Sequence, residues 1–164
     1  MAFKKTHPWD QLAADLRTNE TILAKIRAGL EKPVLNNQLD FAQGRNLKLV
    51  DLVAPAYGLT RWLGSASQLA LHQGDTHGAL RDLVIEARLP RLLAEDHLPI
   101  SELVRIAIGA TAKADTWEAL QADRWTDEDL AALQRAWESQ DFAAAMALAS
   151  GSVGGTIMAT DIGI

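Results

Sequence analysis

With 164 residues, 48% of them hydrophobic and 23% charged, the chain has the balance of a single globular domain, long enough to bury roughly 70% of the surface its unfolded form exposes. It contains no cysteine, which excludes thiol nucleophiles, thiolate zinc sites and disulfide frameworks while leaving the redox compartment open. The net charge of -5 is uneven: residues 1–74 carry nine Lys/Arg against six Asp/Glu, and residues 75–164 carry seven against fifteen, so the acidic second half repels phosphate backbones and nucleic acid is not an expected partner.

No run approaches eighteen consecutive apolar residues, so no membrane span is expected. The opening MAFKKTHPWDQL is basic at its start but lacks the apolar stretch that a signal peptide needs. The compartment stays open, because an export signal or anchor in a segment before Met1 would place the domain outside the membrane. Residues 1–150 read as one helical domain and residues 151–164 as a Gly/Ser-rich tail.

Along the chain the apolar spacing is helical. Ile22, Leu23, Ile26 and Leu30 share one face after a cap at Thr18 or Asn19, and Pro33 closes that helix. Residues 33–46, PVLNNQLDFAQGRN, have no period and read as a long connection. Leu49, Leu52 and Val53 restart the pattern, Pro55 forces a break or a new first turn, and Trp62, Leu63, Ala66 and Leu69 carry the run to Gly74. Beyond Asp75 the positions Leu80, Leu83, Val84 and Ala87 repeat until Pro90, and EDHLPIS makes the next turn.

The cleanest stripe is Leu103, Ile106, Ala107, Ala110, Ala114 and Trp117, which predicts a long helix central to the core. In WTDEDL, Thr126 and Asp129 have capping-box spacing before Leu130, Leu133 and Trp137. A last helix is expected over residues 141–149. With no strand pattern elsewhere, the class is all-α: an array of antiparallel helical hairpins, about six to seven helices in number.

Asp-Thr-x-x-Ala-Leu occurs at 75–80 and again at 115–120, a forty-residue spacing of the size that stacked helical hairpins use. The stretch LALHQGDTHGALRDL, residues 69–83, resembles the tetratricopeptide family: the end of one helix, a Gly-Asp turn, and the Ala-Leu start of a second. The resemblance covers about residues 60–93 and implies tetratricopeptide-like packing. It departs from the family at Pro90, and no second full unit recurs at 34 residues. The order GDTHGALRDL, LPISELVRIAIGA, WTDEDLAALQRAWESQDF resembles a group of bacterial all-helical domains of unknown function that often follow a membrane anchor. That likeness spans most of residues 10–145 and implies no activity.

The motifs of zinc proteases, serine hydrolases, phosphate loops and calcium loops are all absent. His72, Asp75 and His77 offer at most three donors across a turn, which reads as a solvated corner rather than a metal site, and His97 reads as a loop histidine. Arg105 interrupts LVRIAIGA, where an unpaired charge would be costly; Glu102 is a partner at helical spacing and Glu86 a longer-range one. Of five tryptophans, Trp117 and Trp137 fall on apolar stripes and read as core, while Trp9, Trp62 and Trp125 read as partly exposed. The expected function is a non-catalytic scaffold for a protein or peptide partner, with no catalytic residue and no cofactor. The alternative is a small-molecule binding domain or enzyme with a helix-lined pocket near Arg105, Glu86 and Trp62.

Overall fold

A computed structural model describes residues 8–30, 49–93, 99–138 and 140. The expected connection at 33–46, the helix at 141–149 and the tail at 151–164 lie outside the described residues. Those described form six α-helices, one 3₁₀ turn and no strand, so the protein is all-α. They are α1 (Pro8–Thr18), α2 (Glu20–Leu30), α3 (Leu49–Gln73), α4 (Thr76–Arg88), the 3₁₀ turn Leu89–Leu93, α5 (Pro99–Ala119) and α6 (Asp127–Glu138).

The helix α1 precedes the first helix that the apolar spacing predicts. Pro8 pre-sets its first turn and Asp10 sits where the helix dipole favours an acid. Near its C-terminus side chains add bonds to carbonyls, Arg17 Nε to Ala13 O at 3.0 Å and Thr18 Oγ1 to Ala14 O at 2.9 Å, and Asn19 Nδ2 donates to Asp15 O at 2.9 Å, one of the last four carbonyls. Asn19 alone separates it from α2, its carbonyl accepting from Ile22 N and Leu23 N at 2.9 Å each. Pro55 lies inside α3 without ending it: it falls in the second turn, where a missing N–H forfeits one ladder bond.

The corner between α3 and α4 is fully determined by two residues. Gly74 has φ +81, a conformation that side chains strain. Its N–H bonds Leu71 O at 3.0 Å and the Asp75 N–H bonds Ala70 O at 2.8 Å, the paired bonds of a Schellman ending. Asp75 then starts the next helix, its Oδ1 accepting from Gly78 N at 2.9 Å. Two antiparallel helices therefore meet through a connection of only two residues, Gly74 and Asp75. By contrast, the second Asp-Thr-x-x-Ala-Leu, at Asp115, lies within α5, so the two copies occupy different structural places.

The helix α4 is central, packed against α3, α5 and α6. Pro90, which lacks the N–H that α-helical continuation requires, coincides with the change to the 3₁₀ turn. Two apolar clusters flank α4: one joins Leu63, Ile85, Leu89 and Ile108, the other Leu83, Ala119 and Leu133. At the α5 to α6 turn, Trp125 Nε1 donates to Ala119 O at 2.9 Å. The expected capping box forms reciprocally: Thr126 N donates to Asp129 Oδ2 at 3.0 Å, and Asp129 N donates to Thr126 Oγ1 at 3.2 Å.

The long stripe of α5 faces the other way from its expected position. Leu103, Ala107, Ala110, Ala114 and Trp117 are exposed and Ile106 is half-buried. The buried face is instead Ser101, Glu102, Arg105, Ile108, Ala112, Thr116 and Ala119. Small residues explain part of this orientation, since Ala112 and Ala119 let α5 approach its neighbours closely. Pairing of Arg105 with Glu102 explains the rest, because it offsets the cost of burying either charge alone.

Candidate functional site

The outward face of α5 forms one wall of a groove of about 940 Å³, lined by Ile106, Gly109, Ala110, Ala114, Trp117 and Leu120, with Trp137 and Gln140 on the far side. Helical spacing on α5 repeats these residues every three or four positions, so they form one continuous ridge. Trp117 is 69% exposed and Leu103 57%. Lys113 is the single charged side chain of the lining among the described residues. Within the lining, Thr116 Oγ1, Trp137 Nε1 and Gln140 Oε1 are shielded from solvent and carry no hydrogen-bond partner, while Gln140 Nε2 donates to Ala87 O at 2.9 Å and ties Gln140 to α4.

The residues singled out from sequence do not converge. Arg105 is buried and donates through Nε to Glu102 Oε2 at 2.8 Å, the partner that the i, i+3 spacing offers. Glu86 is fully buried, and neither of its carboxyl oxygens accepts a hydrogen bond. Burial first, then a hydrogen bond shared with the Asp115 carboxylate and the charges of Asp115 and Asp82, push its carboxyl up to about 10, so at neutral pH it is a neutral acid whose proton faces Asp115. It therefore needs no cation, which is consistent with Arg105 pairing elsewhere. Trp62 lies on the surface of α3, 36% exposed. None of the three lines the α5 groove.

Among the tryptophans one departs from expectation, while Trp9, Trp62 and Trp125 are partly exposed as expected. Trp117, expected in the core, is the most exposed of the exposed large hydrophobic residues, while Trp137 and Trp125 pack at the edge of the second cluster. Trp9 stacks on His72 with ring centroids 4.3 Å apart and planes 8° from parallel. His72 is thus an aromatic contact of α1. Among the described residues no group of three His, Asp or Glu side chains is arranged to hold a metal ion, and no helix is long and apolar enough to cross a membrane.

A second, polar cleft of about 460 Å³ lies between the α1–α2 hairpin and the Gly74-Asp75 corner, lined by Arg17, Arg27, Gln73, Asp75, Arg81 and Asp82 among others. Within it Arg27 grips Asp82 by two bonds, Nε to Oδ1 at 2.8 Å and Nη2 to Oδ2 at 2.7 Å. Sequence spacing gave no signal for this pair, whose members are 55 residues apart. No family model, curated protein or solved structure matches the chain.

Proposed function

We propose that this domain is a non-catalytic helical scaffold that docks an amphipathic helix of a protein partner onto the outward face of α5. The observation that carries the reading is the orientation of α5: its apolar stripe faces solvent and its polar residues face inward. An exposed apolar stripe at helical spacing is the complement of a helix in a groove. Gly109, Ala110 and Ala114 leave room for a second helix axis to approach, and Trp117 supplies a large anchor of the kind that dominates binding energies. Lys113, the one charge among the described lining residues, favours a partner helix that brings a carboxylate to that edge.

The Gly74-Asp75 corner supports tetratricopeptide-like packing of α3 and α4, and in a hairpin array an apolar outer face is where a further helix stacks. The rival reading, a small-molecule pocket around Arg105, Glu86 and Trp62, has less support because these residues are paired, neutral or separated on the surface.

Selection of a displayed library of amphipathic helical peptides on the full chain tests the reading. Enriched peptides should bind the wild type and lose at least tenfold in affinity to Trp117→Ala and to Ala110→Asp. No enrichment, or binding indifferent to both substitutions, would overturn it. So would a concentration-dependent dimer abolished by Ala110→Asp, since the occupant would then be a second copy. Peptide affinity raised by Met146→Asp would overturn it as well, by assigning the face to the chain's own residues 141–149.

A further inference from the structure

The α1–α2 hairpin is held to the rest of the molecule differently from every other element. Across its two eleven-residue helices only Leu23 is buried, whereas α4 alone buries seven residues. Apolar burial is what makes an element open only with the whole fold, so a hairpin with so little of it opens at lower free energy than the body. Among the described residues its other attachments include the Trp9 stack on His72, the edge packing of Leu30, and the fork of Arg27 on Asp82.

Asp82 is the side chain that stays behind if the hairpin leaves. It is buried on α4, with a side-chain exposure of 2%, and an unpaired carboxylate there would be expensive. A second cation is already beside it. Arg81 Nε lies 3.4 Å from Asp82 Oδ1, the same oxygen that accepts from Arg27 Nε, and the Arg81 side chain is 45% exposed. In the closed arrangement Arg27 holds both oxygens and Arg81 makes only the long contact.

We infer that α1–α2 is a latched arm over the polar cleft, and that Arg27 and Arg81 compete for Asp82, the first holding the arm closed and the second stabilising the open form. The hairpin wall of the cleft, Arg17 and Arg27 among its residues, then moves away from the Gly74-Asp75 wall when the partner of Asp82 changes. The two arginines act in opposite directions, which a purely structural ion-pair network would not produce.

Hydrogen exchange followed by mass spectrometry on the full chain reads this directly. Amides of residues 8–30 should exchange at least tenfold faster than those of residues 79–87 in the wild type. Arg27→Gln should speed the arm's exchange a further tenfold or more and leave residues 79–87 unchanged, whereas Arg81→Gln should slow the arm severalfold. An arm that exchanges only together with α4 overturns the inference, and so does Arg81→Gln leaving the arm's rate unchanged or raising it. The wild-type comparison alone decides the first point if either variant folds poorly.

Discussion

Gly64 on α3 and Asp115 on α5 share one space: a Cβ built at Gly64 would lie 2.8 Å from Asp115 Cγ and closer still to Oδ2. The absence of a side chain at position 64 is therefore what lets the acid of α5 reach in beside Glu86. Gly64→Ala should destabilise by about 1–3 kcal/mol, the range for overpacking. Adding Asp115→Ala should recover most of that loss, giving a coupling above about 1 kcal/mol in urea denaturation of the two single variants and the double.

Glu86 makes stability fall as pH rises. Its carboxyl is raised from 4.5 to about 10 in the folded chain, so between those values the native state holds a proton that the unfolded state has released. The cost is absent below the unfolded value, grows across the window by about 1.4 kcal/mol per pH unit for this group alone, and is complete above the folded value. Glu86→Gln, which cannot ionise, should match the wild type near pH 4 and become progressively more stable than it from pH 5 to pH 8. Denaturation series at those pH values would show the diverging lines; parallel lines would remove the assignment of Glu86 as a neutral acid.

Two substitutions on α5 separate its faces. Trp117→Ala removes a residue that is 69% exposed and should change stability by no more than about 0.5 kcal/mol. Ile108→Ala, a few turns away on the fully buried side, should cost about 2–5 kcal/mol. If the tryptophan were the costlier loss on thermal denaturation, the orientation of α5 described above would be wrong.

The corner offers a further check. Asp75→Ala removes the acceptor for Gly78 N and should cost about 1 kcal/mol. Gly74→Ala forces a side chain into a left-handed backbone at φ +81 and should cost about 1–2 kcal/mol. Circular-dichroism melts of both variants would test these values.

The corner and the capping box were legible because their chemistry is local: Gly74, Asp75, Thr126 and Asp129 act within five residues of their partners. The Arg105–Glu102 pair was legible for the same reason. The orientation of α5 was not. A helical period locates an apolar stripe on a helix but not what lies opposite it, and Leu103 to Trp117 would read identically as core or as docking face. Nor does spacing bring Asp115 to Glu86 or Arg27 to Asp82, since those pairs exist only once three or four helices are assembled. The first helix carries an equally local signal, Trp9, Leu12, Ala13 and Leu16 at helical spacing after Pro8, and was legible on the same terms although nothing in it is buried.

The polar inner face of α5 also fixes how far that helix can turn about its own axis. Half a rotation would carry Leu103, Ile106 and Trp117 inward, an exchange that hydrophobicity alone would favour, and would strand Glu102 and Arg105 on the outside. What opposes it is the set of contacts on the present side: Ile108 in the first cluster, Ala119 in the second, Asp115 at Gly64, and Trp125 bonded to the last carbonyl of the helix. A greasy face is thus kept in water by matched shapes on the other side, and substitutions that loosen those matches should let the helix roll and conceal that exposed face.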